Sequence, residues 1–599
     1  MSRISRREFL RQAGLVVGVG SQIGGLLGCG SSSNSVTQAT GGYDAIIVGG
    51  GTAGTIVAAK LQLASGGRRR ILIIEAGGPT SASIGGTAFP AFLPPDRNDL
   101  TIFDVPGEYS QMAFMPLGAP YQLTETGFTY QGTGLGGNAM FNGMLFQTNP
   151  PTVFDHSWPT GWHWSDIEPF FERVRQKVPV TNTPSTNGVP QNIGPAEVVN
   201  PLYADAGFVE ADTSRPFVPP GVYSRPYVAT VEGRRAGPIT GYFHAVDPGG
   251  VPVPGLEILN FSKAVQINFD SKGKAHSVDY LRRAAQDQSL PTTPGTAKLR
   301  PGGIVIMAAG ALVTPRLLLL SGIGPRGRES EIFPDQSHAA FAIDNPLVGV
   351  GVFDHVMTLV AYSYEGPVVY QAYNYGDFSG HAADIDAYLS NGSGPYAQYQ
   401  PVSILNYALG GGSIPNVEIF MNPNGAGAPG GPYYGPNTMS AFLMLLNPKA
   451  RGLITLDEKG NVKFPNIYLP DTPEGQDDTT QMAQAVFDMI QLFKKDPGLK
   501  IVFGPGSSSH PHLDPNKLSD IRTYVTGPSP IDNVYFNRLI INHYGGTARL
   551  STGNGGVDPT SLILKGTKNV AVVDASLIPT IVPAHPVGTI MAVADRAGD

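Results

Sequence analysis

The hydrophobic pattern is clearest near residue 43, where a short apolar run suited to a β-strand spans residues 43–48. The glycine-rich segment 49–54 follows at once, and residues 55–64 then carry apolar side chains on one side at helical spacing. A second apolar run at 70–74 ends at Glu75. This order of strand, glycine loop, helix and strand predicts a βαβ unit with parallel strands.

The glycine segment has the spacing G-x-G-x-x-G, with glycines at 49, 51 and 54. Between a strand and a helix this spacing predicts a pyrophosphate site, because the glycines permit a tight turn, close approach of the backbone and close packing of the helix. Glu75 comes 21 residues after Gly54, where an acid can bind ribose hydroxyls. The predicted nucleotide contacts are Gly49, Gly51, Thr52, Ala53, Gly54 and Glu75. The motif alone does not distinguish FAD from NAD.

Three later stretches add to the architecture. Residues 303–320 have the pattern of a buried strand followed by a helix, and apolar residues at helical spacing predict a core-facing helix within 479–495. Residues 366–440 are rich in Tyr, Gly, Pro and Asn. That composition fits an aromatic-lined sugar-binding surface and ordinary turn-rich loops equally well.

Composition excludes several classes of protein. A chain of 599 residues with 41% hydrophobic and 15% charged residues is typical of a globular protein with two or more domains. The net charge of −7 argues against a general nucleic-acid partner. The one cysteine, Cys29, excludes an intramolecular disulfide, a four-cysteine iron–sulfur site and a haem attached through Cys-x-x-Cys-His.

The first residues read as a targeting signal. Residues 5–10 resemble a twin-arginine export signal, and the uncharged stretch 13–28 is short for a membrane span. Residues 26–29 resemble a bacterial lipobox, which predicts that residues 1–28 are removed and that Cys29 becomes the lipid anchor; an ordinary cleavable signal is the alternative. Residues 29–42 read as a flexible tether. The expected product is a periplasmic or cell-surface lipoprotein of a bacterium, in contact with the membrane through the anchor only.

Several ordered motifs from residue 43 to the end resemble the glucose–methanol–choline (GMC) family of flavin oxidoreductases. They are 131–145, 310–324, 345–355, 573–576 and 586–592. The resemblance implies an α/β FAD-binding Rossmann-like domain of GMC type, with a discontinuous α+β substrate-binding domain. The FAD-binding domain is expected at 43–150, 226–350 and 540–599, and the substrate-binding domain at 151–225 and 351–539.

Within the family, the segments 75–79, 85–87, 103–107, 233–238 and 322–325 resemble the flavin domain of cellobiose dehydrogenase. This second resemblance implies a sugar or oligosaccharide substrate. The neighbouring arginines Arg234 and Arg235 are interpreted as a structural ion-pairing element and not as a substrate clamp.

The family resemblance assigns further FAD contacts to positions in the matched motifs. They are Gly134, Gly137, Asn138, Asn142, Gly143, Met144, Val265, Asp574, Ala575 and Pro586, with Asn142 near the flavin ring and the backbone of Val265 at the adenine. Some relatives attach FAD through a histidine of the second glycine-rich loop. Because residues 131–146 contain no histidine, non-covalent FAD is expected.

The resemblance also implies a catalytic pair. His543, in the Asn-His-aromatic motif that begins at Asn542, is expected to be the general base, since imidazole has a pKa near working pH. His585 is expected to hold the substrate oxygen, and Asn542 to contact substrate; cellobiose dehydrogenase has Asn at the position of His585, which weakens the transfer of substrate identity. The remaining candidates, His156, His163, His244, His510 and His512, have no ligand spacing, so no metal is assigned.

The expected activity is FAD-dependent oxidation of the anomeric carbon of a cellobiose-like sugar to a lactone, with hydride transfer to flavin N5. A dehydrogenase is favoured over an oxidase, with quinone or a separate cytochrome as external electron acceptor. One alternative keeps the chemistry but replaces the sugar with another alcohol, such as an aryl alcohol, choline or a sterol. Another is a non-catalytic surface flavoprotein.

Overall fold

The computed structural model describes residues 41–109, 112, 131–211, 219–245, 254–287, 289–399, 401–423, 425–428, 431–433, 436–463, 467, 471–527 and 539–599. The predicted export signal, Cys29 and nearly all of the predicted tether lie outside these residues. Among the described helices, none combines the length and the apolar character needed to cross a membrane.

The α-helices of the described residues are numbered in chain order. They are α1 (Thr52–Ser65), α2 (Pro151–Ser157), α3 (Trp164–Lys177), α4 (Gly194–Asp205), α5 (Pro238–Gly241), α6 (Val313–Leu320), α7 (Glu329–Ile332), α8 (Ala382–Asn391), α9 (Pro473–Phe493), α10 (Leu518–Thr526) and α11 (Val587–Ala597). The predicted helix within 479–495 is therefore present, but it begins earlier, where the side chain of Thr472 caps it by accepting from the Gly475 amide.

The strands are numbered in the same way. They are β1 (Tyr43–Val48), β2 (Ile71–Ile74), β3 (Val180–Thr181), β4 (Val209–Glu210), β5 (Val222–Ser224), β6 (Val228–Val231), β7 (Arg234–Arg235), β8 (Leu256–Leu259), β9 (Ser262–Phe269), β10 (Ala275–Arg282), β11 (Thr293–Met307), β12 (Ile323–Gly324), β13 (Ile343–Asp344), β14 (Val350–Val352), β15 (Val356–Tyr364), β16 (Ser403–Tyr407), β17 (Val417–Asn422), β18 (Gly425–Ala428), β19 (Gly431–Tyr433), β20 (Thr438–Leu445), β21 (Gly452–Leu453), β22 (Thr455–Leu456), β23 (Val462–Lys463), β24 (Leu499–Phe503), β25 (Leu539–Ile540) and β26 (Val570–Val572).

The first large sheet is the predicted nucleotide-binding sheet. It has seven strands in the order β8-β2-β1-β11-β10-β9, and β26 pairs with β11. The pairs β1–β2, β1–β11, β2–β8 and β11–β26 are parallel, whereas β9, β10 and the first half of β11 form an antiparallel meander. All four side chains of β2 and most of β1 are buried, as expected for a parallel sheet covered on both faces.

The turn from β1 into α1 depends on glycine at two positions. Gly49 has φ 97°, in the left-handed region that glycine favours. A Cβ on Gly54 would lie 2.0 Å from the carbonyl oxygen of Gly49, so any larger residue would push the helix away from the turn. The first turn of α1 holds no acidic residue, and no side chain caps it at Gly51. Its amides are thus left open at the carboxyl edge of β1.

The second large sheet has eight strands and is mainly antiparallel, in the order β24-β15-β20-β17-β16-β5-β4, with β25 paired to β15. Apart from β25 and the short parallel pair β4–β5, each neighbouring pair runs antiparallel over three or more residues. Residues of β15, β17 and β20 face the open turn after β1 across a cavity. The fold is the predicted α/β nucleotide-binding unit with a second, mixed α+β unit beside it.

Candidate active site

A cavity of about 510 Å³ is lined by residues of both large sheets. One end is formed by the glycine turn after β1, by Glu75 and by the segment that follows β11. The other end carries His543 and His585, with residues of β15, β17 and β20. A molecule that fills the cavity therefore touches the nucleotide fingerprint at one end and two imidazoles at the other.

Glu75 lies buried at the fingerprint end. Its Oε2 accepts from the Gly50 amide at 2.7 Å and its Oε1 from the Gly77 amide at 2.8 Å. Burial raises the pKa of Glu75, and the backbone amides oppose that rise. The carboxylate thus holds the glycine turn and still faces the cavity, where a ribose would lie.

The second glycine-rich loop docks directly on this turn. The Gly136 amide donates to the Gly50 carbonyl at 2.8 Å, and the Thr52 hydroxyl donates to the Gly136 carbonyl at 3.1 Å. The side chain of Asn138 accepts from the Gly132 amide at 2.8 Å. These bonds place the loop along the cavity wall between the fingerprint and the histidines.

Asp574 closes the same wall from the C-terminal segment. Its Oδ2 accepts from the Gly310 amide at 2.8 Å and from the Thr314 hydroxyl at 2.5 Å, and its Oδ1 accepts from the Ser576 amide at 2.8 Å. Burial raises the pKa of Asp574 against these hydrogen bonds. The side chain ties the turn after β11 to residues 574–576, both of which border the cavity.

The two predicted catalytic histidines meet at the other end. The ring centroids of His543 and His585 are 4.9 Å apart and their planes cross at 84°. Nε2 of His585 lies 3.0 Å from Oε1 of Glu418, a fully buried acid on β17. The second oxygen of Glu418 accepts from Nε2 of Gln147 at 2.7 Å, and the side-chain oxygen Oε1 of Gln147 accepts from the His585 backbone amide at 3.2 Å. His585 is thus held from two directions.

A third imidazole, His355, stands behind His543. Their Nδ1 atoms are 2.8 Å apart, and Nε2 of His355 lies 3.0 Å from the carbonyl oxygens of both Leu446 and Val582. Burial, followed by the charge of His585, lowers the pKa of His355 to about 3, so its ring is neutral. The carboxylate of Asp354 accepts from the amides of both His543 and His355 at 2.8 Å, which fixes the two backbones together.

These contacts determine where the hydrogens lie. Carbonyl oxygens only accept, so the single hydrogen of neutral His355 is on Nε2 and its Nδ1 is an acceptor. His543 must then donate from its own Nδ1, which leaves the lone pair on its Nε2. Burial and the neighbouring His585 and His355 lower the pKa of His543 well below its ordinary value. His543 is therefore a neutral base on the cavity wall.

Most of the predicted site residues line this cavity. They are Gly49, Gly51, Thr52, Ala53, Glu75, Gly134, Gly137, Asn138, Asn142, Gly143, Asn542, His543, Asp574, Ala575, His585 and Pro586. Asn542 has φ 62°, a strained backbone conformation that is common at functional sites.

Three predicted contacts do not border the cavity. Gly54 lies under the turn and acts through packing, and Met144 is buried with its amide bonded to the side chain of Asn142. Val265 was expected at the adenine, but the residues of β9 that reach the cavity are Ser262, Lys263 and Ala264. Val265 follows directly on Ala264, and its contact with the adenine stays a prediction.

Four residues of the histidine site were missed in the sequence: Gln147, Asp354, His355 and Glu418. Asp354 and His355 fall in the matched segment 345–355, where an acid next to a histidine was the available signal. Glu418 was marked by its position, as the one acid in the strongly apolar run 417–421. A buried strand seldom holds an unpaired carboxylate, so such an acid indicates a partner across the fold.

Comparison with known proteins agrees with this geometry. A family model described as GMC oxidoreductase matches residues 43–357, and its C-terminal counterpart matches residues 448–594. The chain belongs to the GMC oxidoreductase family. This GMC oxidoreductase is accordingly an FAD-dependent enzyme that acts on CH–OH donors, and the non-catalytic interpretation is set aside.

Individual relatives are distant. An oxygen-dependent choline dehydrogenase of Pectobacterium atrosepticum is 24% identical over 594 residues, which cover 93% of this GMC oxidoreductase and 94% of that protein. The one from Serratia proteamaculans is 27% identical over 401 residues, and this chain spans only 64% of its length. The structure of formate oxidase superposes with a TM-score of 0.69 at 18% identity, over 94% of this chain and 98% of that one, which shows a shared fold alone. The narrower likeness to cellobiose dehydrogenase stays a prediction, because these curated relatives bear another name.

The residues present fit FAD. The uncapped N-terminus of α1 offers amides and the positive end of the helix dipole to a pyrophosphate, and Glu75 stands where it can meet a ribose. The cavity then continues past residues 137–143 to His543 and His585, so a flavin ring held there would lie beside the two imidazoles. Non-covalent attachment stays a prediction.

Proposed function

We propose that this enzyme oxidises a primary alcohol borne on an apolar or aromatic group to the aldehyde. The observation that carries the proposal is the wall around the histidine end of the cavity. Its side chains from the second sheet and the adjoining segments are mostly apolar or aromatic, namely Tyr109, Met112, Met357, Tyr399, Phe420, Phe442, Met444 and Ile541. Such a wall favours binding by burial of apolar surface.

The wall includes a parallel aromatic pair. The rings of Phe420 and Phe442 stack with centroids 5.2 Å apart and an interplanar angle of 6°. Tyr109 and Tyr399 meet edge to face at 4.5 Å. Flat, rigid surfaces of this kind suit a planar or compact apolar group, and their packing leaves few polar atoms to hydrogen-bond it.

His543 starts the reaction in this proposal. Its Nε2 lone pair removes the hydroxyl proton of the alcohol, and the substrate carbon becomes a carbonyl as it loses a hydride. When bound, FAD supplies the two-electron acceptor for that hydride. The proton taken by Nε2 makes His543 a cation, and its Nδ1 hydrogen bond to His355 keeps the ring oriented throughout.

His585 holds the substrate oxygen from the opposite side. Its ring crosses that of His543 at 84°, so the two imidazoles can approach one oxygen from different directions. The carboxylate of Glu418 accepts from Nε2 of His585, which leaves the other ring nitrogen for the substrate. In this proposal that second nitrogen also carries a hydrogen, so the His585 ring is an imidazolium that donates to the substrate oxygen and favours the negative charge developing there as the proton leaves.

Choline is the second candidate. Aromatic side chains that surround a cavity can bind a quaternary ammonium group through cation–π contacts, and the curated relatives are named choline dehydrogenases. A sugar, the original expectation, has less support: among the described residues of the second sheet that line the cavity, Asn422 is the one non-aromatic polar side chain. A sugar ring needs several such partners.

Anaerobic bleaching of the flavin distinguishes these substrates. The panel is benzyl alcohol, cellobiose, glucose, cholesterol, choline and 3,3-dimethylbutan-1-ol, which has the shape of choline without its charge. Reduction by benzyl alcohol and the neutral isostere, faster than by choline, is the expected result. Faster reduction by choline than by its isostere would favour the cationic substrate, and rapid reduction by cellobiose alone would overturn the proposal.

We propose further that FAD is non-covalent and that the electrons leave to a quinone or a separate cytochrome. Acid precipitation should release all of the yellow colour into the supernatant. Turnover with a soluble quinone should exceed peroxide formation in air. The proposed export and lipid anchor at Cys29 are tested by comparing membrane association of the full chain with that of Cys29→Ala.

A further inference from the structure

Arg235, at the end of β7, is buried beside the loop that lines the cavity. It is 1% exposed, and its guanidinium donates only to oxygens of neighbouring segments. Nε donates to the Phe103 carbonyl at 2.9 Å, and Nη1 donates to the Ala139 carbonyl at 3.2 Å. Nη1 also reaches Asn142 twice, its carbonyl at 2.7 Å and its Oδ1 at 2.9 Å.

Ion pairing was expected for both Arg234 and Arg235, and the structure shows it for Arg234 and not for Arg235. Arg234 is exposed and pairs with Asp99 at 3.3 Å. Among the described residues, no carboxylate lies within 4.0 Å of the Arg235 guanidinium. The nearby Asp104 accepts from the Arg235 amide through its backbone, while its carboxylate is occupied by Ser81, Ala82 and Thr101.

Arg235 is therefore a buried cation that is compensated by carbonyl dipoles. Burial lowers its pKa to about 10, which still leaves the group charged at neutral pH. A buried charge without an acid is costly, so its compensation must come from well-placed oxygens. Three of its four acceptors belong to residues 139–142, and those residues are part of the cavity wall.

Asn142 connects this cation to the cofactor site. Its carbonyl and its side chain both accept from Arg235, and Asn142 itself lines the cavity. One residue thus separates the guanidinium from the space that the flavin must occupy. Reduction of a flavin adds electrons, and a fixed positive charge at short range favours that added negative charge.

We propose that Arg235 is a positioning residue, which fixes residues 139–143 against the bound FAD and uses its buried charge to favour the reduced cofactor. The proposal rests on FAD binding and not on the identity of the alcohol. Arg235 thus has two roles that can be tested separately: its hydrogen bonds hold residues 139–143, and its positive charge lies close to the flavin.

Sulfite tests the charge without any substrate. Sulfite adds to the N5 atom of oxidised flavin, and the negative charge that it places on the ring is favoured by a nearby cation. In the purified holoenzyme, Arg235→Gln should raise the Kd for sulfite about tenfold, the effect of one charge within about 12 Å at the effective permittivity of a protein. Arg235→Lys keeps the charge and should stay within about threefold of the wild type on the same scale.

The dissociation constant of FAD tests the hydrogen bonds. Neither variant reproduces the contacts of Nη1, because glutamine is shorter and the lysine ammonium ends one atom before the Nη1 position; each should therefore raise the Kd for FAD about tenfold, as expected for loss of a charge-assisted bond. Arg234→Gln is the matched control, because it removes an adjacent, exposed arginine; it should change neither constant.

Two results would overturn the proposal. One is an Arg235→Gln enzyme whose Kd values for sulfite and FAD match those of Arg234→Gln. The other is an Arg235→Lys enzyme whose Kd for sulfite rises as much as that of Arg235→Gln, which would show that the positive charge has no role. If Arg235→Gln fails to fold with FAD, Arg235→Lys still tests the proposal. A higher Kd for FAD with an unchanged Kd for sulfite supports it, and an unchanged Kd for FAD contradicts it.

Discussion

Nδ1 of His355 lies 2.8 Å from Nδ1 of His543, and that contact decides which nitrogen of His543 carries its hydrogen. His355 has no proton to give at Nδ1, because its Nε2 hydrogen points to two backbone carbonyls. His543 is thereby prevented from adopting the other neutral tautomer, in which its Nε2 would be protonated and unable to act as a base.

Removal of His355 should therefore slow the reaction while FAD stays bound. His355→Ala is expected to lower the rate of anaerobic flavin reduction between about 10- and 100-fold, the usual range for loss of a partner that orients a functional histidine. His355→Gln, whose amide oxygen can accept from Nδ1 of His543, should recover part of the loss. Stopped-flow absorbance measures both.

The control for that experiment is His156→Ala, on the exposed side of α2. It should leave the reduction rate unchanged. Equal rates for His355→Ala and the wild type would show that the tautomer of His543 is fixed by some other contact.

The pH dependence of flavin reduction should report the lowered pKa of His543. Its pKa is lowered by burial first, and then by His585 and His355, so the neutral base persists below the pH at which an ordinary histidine is protonated. Flavin reduction should stay near its maximum at pH 6 and fall only in more acidic solution. His585 is one of the groups that lower the pKa of His543, so His585→Asn should raise that pKa and move the acidic limb to higher pH.

That shift is measured from the pH dependence of the reduction rate between pH 4.5 and 9. His512→Asn, an exposed substitution elsewhere in the chain, serves as control. A limb that stays in place, or moves to lower pH in His585→Asn, would contradict the assignment of His543 as the titrating base.

Short sequence motifs were enough to predict one half of the site. The turn around Gly49, the acid at Glu75 and the motif histidines His543 and His585 are each marked by neighbours within a few residues. The supporting contacts are not local: His355 and His543 are 188 residues apart, and Glu418 and His585 are separated by 167. Only the packing of β17 and of the segment after β14 against the C-terminal motifs brings them together.

The extent of β9 along the cavity could not be read from the sequence for a different reason, and the adenine contact at Val265 stays a prediction. A strand pattern gives the alternation of side chains, but not the residue at which the strand leaves the cavity. In β9 that point comes after Ala264. Similarly, Arg234 and Arg235 look alike in sequence, yet one is exposed and the other buried, since successive residues of a strand face opposite sides.

Glu418→Gln should separate orientation from charge at His585. The amide is nearly isosteric and its oxygen can still accept from His585, but the buried carboxylate, which also accepts from Gln147, is lost. Flavin reduction should fall about 100-fold, because Glu418 acts through His585, the group that stabilises the negative charge developing on the substrate oxygen. FAD content should not change.

The matched control is Glu210→Gln, an exposed acid on β4 of the same sheet. Its reduction rate should equal that of the wild type. Loss of FAD from Glu418→Gln, with normal rates in the fraction that keeps it, would assign Glu418 a structural role instead.

Glu108 provides a test of stability at a buried group that does not itself line the cavity. It is 4% exposed, and its Oε1 is buried without a hydrogen-bond partner. Burial raises its pKa to about 7 from an ordinary 4.5. Between those two values the unfolded chain ionises while the folded protein keeps its proton, so the folded state is stabilised below pH 4.5 and loses that advantage as the pH rises to 7. The loss amounts to about 3 kcal/mol, at about 1.4 kcal/mol per pH unit.

Glu108→Gln cannot ionise and should escape this loss. The free energies of unfolding of variant and wild type should be close at pH 4.5, and at pH 8 the variant should be more stable by up to about 3 kcal/mol. Urea unfolding of the holoenzyme at the two pH values measures the difference, with the exposed Glu168→Gln on α3 as control. A difference between variant and wild type that is the same at both pH values would mean that Glu108 ionises as readily in the folded protein as in the unfolded chain. The direction of this pH dependence distinguishes Glu108 from His355. The depressed pKa of His355 makes the folded state lose stability as the pH falls below 6.5.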